Sequence, residues 1–260
     1  MAIIIEQGAV KKLNIIYNNR WRNGTILGQS SQNPQHPATD TQIDTKVMFW
    51  RTTTDGETAY ISNDLGNSYE IKYLAILNHN IPATAVIKII SASNSAFTLD
   101  VTETTVTRYA TNIWYKFPVS QTKRYWKLQV TNPANADGYI QVAVISLSPA
   151  FVPNRNYGRE YQKGKDDFSE IDFSDSVILF SQEKPKIVAH VLEFTGLDDA
   201  SQIEILALLE ECGVHKSFIV CFDPDNPQTT SYYVRNEDIA YPVTTYYKNW
   251  NWSLNVREVL

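Results

Sequence analysis

One feature constrains this chain more than any other: a side-chain alternation of period two that returns in segment after segment and is interrupted by turn residues. It is plainest at the end of the chain. There Trp250, Trp252, Leu254 and Val256 share one face, while Asn249, Asn251, Ser253, Asn255 and Arg257 share the other, which predicts a half-buried antiparallel strand. In the run 69–77, Ile71, Tyr73, Ala75 and Leu77 face one way, and Leu74 and Ile76 keep the opposite face apolar. A strand written like that is expected to be covered on both sides and to lie at the centre of its sheet.

Further short runs surround this one. Residues 3–5, 13–17, 60–61, 85–90, 97–101, 104–109, 112–119, 124–130 and 139–147 read as strands, with turns at Asp64-Leu65-Gly66 and over 132–138. Such close spacing without helical periodicity predicts a β-sandwich over 1–148, and two Greek keys would make it a jelly roll. The stretch 28–45 is polar and broken by prolines, so it is expected to be a long loop, functional or ordered by a partner, and open to protease in the free protein. Residues 149–165 read as a linker or strap.

Residues 166–260 predict a smaller α+β domain with one helix on an antiparallel sheet. Strands are expected over 174–180, 186–194, 217–222, 232–235 and 246–256. The helix starts at an N-cap supplied by Asp198 or Asp199 and stops at Gly213. Ile205, Leu208, Leu209 and Cys212 form its apolar stripe, with Glu204, Glu210 and Glu211 largely opposite.

Candidates for chemistry are sparse. With 43% hydrophobic and 20% charged residues the chain is globular, and its net charge of −5 without a long Lys or Arg run excludes a nucleic-acid partner. Cys212 and Cys221 lack CxxC spacing and read as buried small hydrophobes. The N-terminus has no basic region before its apolar residues, so no signal peptide is expected, nor any membrane insertion. His36, His79, His190 and His215 are dispersed and predict no metal site; His79, between Asn78 and Asn80, is expected to hydrogen-bond a loop carbonyl. Asp223-Pro224-Asp225-Asn226-Pro227 stacks oxygen ligands, but it lacks the Gly and distal Glu of a calcium loop and reads as hairpin punctuation. Asp166-Asp167 and Glu210-Glu211 read as a solvated linker and a solvated helix face. No nucleophile, base and orienting group assemble in the sequence, so no catalytic residue, cofactor or metal is expected.

The aromatic residues can be read two ways. Trp50, Trp114, Trp126, Tyr69, Tyr109 and Tyr115 could form a sugar-stacking platform at the end of a jelly roll. Tryptophans inside alternating strands are more simply core, and they are expected there. Tyr232-Tyr233 and Tyr246-Tyr247 are expected at the surface or an interface, because adjacent strand residues cannot both face one core.

The ordered set Trp50-Arg51-Thr52, a strand ending Asp64-Leu65-Gly66 and a strand ending Leu77-Asn78-His79-Asn80 resembles the discoidin-like, or galactose-binding-like, jelly roll in the variant common in minor tail proteins of tailed bacteriophages. The likeness spans 13–149. It returns at Pro153 and Asn154, a strand-helix-strand over 197–220, the Phe222-Asp223-Pro224 turn, and the closing Asn255-Val256-Arg257-Glu258. The resemblance implies a structural component of the phage tail tip or baseplate, a ring-forming homo-oligomer that joins other tail proteins in the virion after synthesis in the bacterial cytoplasm. The alternative it allows is a carbohydrate-binding adsorption module on a host surface glycan.

Overall fold

The structure is a computed structural model that describes residues 12–54, 58–131, 135–158, 161–173 and 179–259. The expected strand 3–5 and parts of 132–138 and 174–180 therefore lie outside the described residues. Contacts divide the chain into two units: Met1–Phe151 with Ile219–Ser231, and Val152–Phe218 with Tyr232–Leu260. In chain order the strands are β1 Asn14–Ile16, β2 Thr25–Gln29, β3 Trp50–Arg51, β4 Thr58–His79, β5 Val86–Ala92, β6 Thr102–Val106, β7 Asn112–Thr131, β8 Gln141–Ser148, β9 Gln162–Asp166, β10 Glu170–Phe173, β11 Leu179–Gln182 and β12 Ile187–Leu197. Helix α1 (Asp199–Cys212), β13 (Phe218–Cys221), the single turn α2 (Pro227–Thr230), β14 (Ser231–Asn236), β15 (Val243–Tyr246) and β16 (Asn249–Glu258) complete it. The protein is mainly β: an antiparallel sandwich of the jelly-roll kind and a smaller α+β unit.

In the first unit the sandwich is made by two long strands that bend. Asp64-Leu65-Gly66 is not a turn between strands, and 112–119 and 124–130 are not separate. The structure carries each pair through as one strand, β4 of 22 residues and β7 of 20. The first half of β4 pairs with β2 and the end of β7; its second half pairs with the start of β7 and with β8. β5 and β6 extend the first layer, and β3 extends the second. The corner lies at a register shift between Asp64 and Tyr69. Gly66 sits in it at φ +82°, a region glycine enters at little cost, and Asp64 Oδ1 accepts the Gly66 N–H at 2.8 Å.

A second shift, between Ile71 and Tyr73, changes which residues share a face. Ile71 joins Leu74 and Ile76 in the core between the layers, alongside Trp21, Trp50, Trp126 and Phe117. Tyr73, Ala75 and Leu77 are buried as well, and the Tyr73 hydroxyl donates to Asn14 Oδ1 at 3.2 Å. β4 lies between β7 and β8, central as its alternation predicts. Ile219–Ser231, placed with the second domain on sequence grounds, groups with the first unit, where β13 pairs antiparallel with β1 through Asn14↔Cys221.

Two loop expectations change. Within 28–45 the structure has the end of β2 and a 3-10 helix, Ala38–Gln42, whose Ala38, Asp40 and Thr41 are buried. Trp21 Nε1 donates to Thr41 Oγ1 at 3.0 Å, and Gln42 Nε2 donates to the carbonyls of Trp21 and Gly24 at 2.9 and 2.8 Å. These side chains order the segment from within. Residues 97–101 are not a strand: Asn94 Oδ1 accepts the N–H groups of Thr98 and Leu99, drawing the backbone into a loop in which Phe97 and Asp100 take positive φ.

In the second unit β16 lies between β14 and β12, β9 flanks β12, and β15 runs along the first half of β16. β10 and β11 form a separate hairpin. Asp198 caps α1, its Oδ1 accepting the Ser201 N–H at 2.8 Å, and Gly213 ends the helix at φ +50°. The predicted stripe, Ile205, Leu208, Leu209 and Cys212, is the buried one. Phe194 and Trp252 stack at 5.3 Å with Leu192, Leu254 and Val256 buried around them. The run 246–256 is not one strand, because Lys248 turns the chain at φ +57° and makes β15 and β16 a hairpin.

Candidate functional site

The site begins at an unfilled place in the ladder. The second half of β7 has β5 beside it, whereas its first half pairs with β4 alone among the described strands. A side chain occupies the position a strand would take: Gln228 Oε1 accepts the Trp114 N–H at 3.0 Å, and Gln228 Nε2 donates to the Asn112 carbonyl at 2.8 Å. A carboxamide carries a donor and an acceptor much as a peptide does, so one glutamine satisfies two peptide groups.

The segment presenting Gln228 is tied to itself. Asp223 Oδ1 accepts the Asp225 N–H at 3.0 Å, Oδ2 accepts from Asn226 Nδ2 at 2.7 Å, and Thr230 Oγ1 donates to the Asp223 carbonyl at 3.0 Å. With both its carboxylate oxygens engaged this way, Asp223 is a turn-former. Among the described residues no group of three or more His, Cys, Asp or Glu could hold a metal ion.

Between this segment and β7 lies a cleft of about 550 Å³, inside the ~300–1,000 Å³ span of small-molecule sites. Tyr109, Trp114 and Tyr115 supply aromatic surface, Pro224 and Pro227 close the other wall, and Lys116, Asp225 and Asn226 add polar groups. The Tyr115 ring is held edge-on to Phe117 at 5.2 Å, and Phe117 in turn to the buried Trp126 at 5.8 Å. Lys116 Nζ stands 3.9 Å from Asp225 Oδ1. A pair that long and that wet is weak, so both groups can trade partners for ligand hydroxyls.

Of the six aromatics that the sequence offers, the cleft gathers three. Trp50 and Trp126 are core, as expected, and Tyr69 packs against the core under the Arg20 guanidinium at 4.0 Å. Trp114 is also buried, yet it lines the cleft. Sequence reasoning missed Lys116 and Gln228 and read Asp225 as hairpin punctuation; the three meet across about a hundred residues of chain. Their only local signal was the Asp-Pro and Asn-Pro punctuation of 223–227.

The histidines stay dispersed. His79 is buried, and its Nδ1 accepts the Ile81 N–H at 3.2 Å, so the ring takes a backbone proton and does not bond a loop carbonyl. Burial, helped by the Arg108 charge, lowers its pKa to about 4. His190 is buried too, 2.8 Å from the Tyr161 hydroxyl, and burial together with Lys163 lowers it to about 4. His36 stacks on Phe49 at 4.4 Å, and the His215 N–H reaches the Cys212 carbonyl. Cys212 and Cys221 are buried and form no disulfide with each other. Tyr233 is buried, contrary to the surface expectation; Tyr232 is half-buried and packs edge-on to His190 at 4.5 Å, and Tyr246 and Tyr247 are exposed. No helix among the described residues is long and apolar enough to cross a membrane.

No family model matches the chain, and no curated protein matches it. Among solved structures it is similar to a chitosan-binding module from a chitosanase/glucanase of Paenibacillus sp. IK-5, at 18% identity over 51% of this chain and 100% of that one, with a TM-score of 0.43. It is also similar to the lectin domain of lectinolysin complexed with Lewis B antigen, at 14% identity over 50% and 95% of the two chains, TM-score 0.42. A third is a Streptococcus pneumoniae fucose-binding module, at 11% identity over 51% and 95%, TM-score 0.41. These neighbours are carbohydrate-binding modules; none of the three is a phage tail protein.

Proposed function

We propose that this chain is a non-catalytic adsorption protein whose jelly roll binds a host-surface carbohydrate in the cleft beside β7. One observation carries the reading: aromatic rings and a loose Lys116–Asp225 pair share a single cleft of sugar-sized dimensions. Aromatic faces cover the C–H face of a pyranose, while the charged groups and Asn226 meet its hydroxyls. Binding of the full chain to arrayed bacterial surface polysaccharides tests it. Tyr109→Ala, at an exposed cleft residue, is expected to weaken binding about tenfold or more, as loss of an aromatic anchor does. Binding that is indifferent to Tyr109→Ala overturns the cleft assignment.

A second reading concerns where the protein works: the tail tip or baseplate of a tailed bacteriophage, as a homo-oligomer among other tail proteins. The resemblance at 50–52, 64–66 and 77–80 motivates it, and one surface favours it. Ile239, Tyr241 and Val243 of the second unit, within five residues of chain, are each exposed, and exposed apolar side chains suit an assembly contact. Antibody raised to the chain is expected to label phage particles at the tail end. Particles without label overturn this setting and leave the carbohydrate reading standing.

A further inference from the structure

The second unit contains a recess of about 500 Å³ lined by Asp199, Thr244, Tyr246, Tyr247, Lys248 and Trp250. Its chemistry repeats that of the cleft beside β7. The cleft has Trp114, two tyrosines and a Lys–Asp pair at 3.9 Å; the recess has Trp250, two tyrosines and Lys248 Nζ at 3.7 Å from Asp199 Oδ2. The recess is the better-oriented of the two at one point, since Trp250 Nε1 donates to Asp199 Oδ1 at 3.0 Å and fixes the indole. Tyr246 and Tyr247 are 72% and 81% exposed, far beyond what packing in this unit requires.

From this we infer that the recess is a second carbohydrate site, taking a neutral pyranose. The Lys248–Asp199 pair compensates its own charge, so the recess offers hydrogen-bonding groups without a net field to select an ionic ligand. The tyrosine rings offer stacking faces beside those groups. Strand addition by a protein partner is the competing use of this hairpin, and the edge is built against it: β15 carries a register shift between Thr244 and Tyr246, and Pro242 precedes it. The ligand class rests on the carbohydrate reading of the cleft, but the two sites sit on different side chains and fail separately.

Titration calorimetry of the full chain with short neutral oligosaccharides of glucose, galactose and N-acetylhexosamines decides the matter. Two sites per chain are expected. Tyr246→Ala combined with Tyr247→Ala, both exposed and so compatible with folding, is expected to remove one site and leave the other, and Tyr109→Ala the reverse. Trp250→Phe, which keeps a ring and loses the indole donor, is expected to weaken the second site alone. A single site that Tyr109→Ala abolishes overturns the recess and spares the cleft. A single site that the Tyr246 and Tyr247 changes abolish does the opposite. Self-association that those two changes abolish, without loss of a sugar site, makes the hairpin a protein contact and overturns the inference. No sugar bound by the full chain overturns both.

Discussion

Gln228 does at one position what a neighbouring strand would do over several. Its carboxamide satisfies the Trp114 N–H and the Asn112 carbonyl, and it fixes one wall of the cleft. Gln228→Ala strands two peptide groups at a partly covered edge and is expected to cost about 1–3 kcal/mol, read as a lower urea midpoint with an unchanged slope. Gln228→Glu keeps the acceptor but loses the donor, and is expected to recover part of that loss. His79 sets a different dependence. Its folded pKa of about 4 lies below the ordinary 6.5, so the folded state binds its proton less readily than the unfolded one. Stability is therefore full above about pH 6.5 and falls as the pH drops toward 4, by about 1.4 kcal/mol for each pH unit per such histidine. His190 adds the same sign in the second unit. Urea titrations between pH 7 and pH 4 are expected to show this slope, and His79→Gln is expected to flatten the part belonging to the first unit. A slope that is unaltered in His79→Gln sinks the assignment.

At the scale of elements, the bends of β4 and β7 matter more than their number. The period-two pattern made the strands legible, and the same pattern announced the buried centre of β4. It could not announce continuity. Asp64-Leu65-Gly66 has the composition of a hairpin turn, and whether the chain reverses or only bends there depends on where β7 runs, which no local residue records. The parity change between Ile71 and Tyr73 was hidden for the same reason. Helix α1 was the opposite case, since its cap, stripe and stop are all local and all were readable. The candidate site falls between: Trp114-Tyr115 was visible as an aromatic pair, while Asp225 and Gln228 needed the fold to bring them near. Gly66 makes the corner testable. A Cβ there meets nothing within 4 Å, so the cost of Gly66→Ala is conformational, expected at about 1–2 kcal/mol for an L-residue in the left-handed region. Gly164→Ala, also free of contact and at ordinary φ, is expected to be neutral or slightly stabilising. Equal effects of the two in thermal unfolding would remove the special role of the corner.

For the whole molecule, the decisive fact is that the first unit is discontinuous. A chain cut after Phe151 keeps every strand of the sandwich but loses the partner of β1 and the wall of the cleft. With the buried Ile219, Val220 and Cys221 and their ladder to Asn14–Ile16 removed, the loss is expected to be on the order of 3 kcal/mol, visible by calorimetry as a lower melting temperature, together with loss of the cleft's ligand. A truncated chain as stable as the intact protein's first unit would show that Ile219–Ser231 contributes nothing. The same discontinuity fixes an order of events during synthesis. Asn14 and Cys221 are ladder neighbours, yet they leave the ribosome about two hundred residues apart, an interval on the order of tens of seconds at ~5–20 residues per second. The last sandwich strand, β8, ends at Ser148, so only for the final stretch of about seventy residues, on the order of ten seconds, does the nascent chain hold all the sandwich strands without the partner of β1, and the domain made first waits on sequence made late.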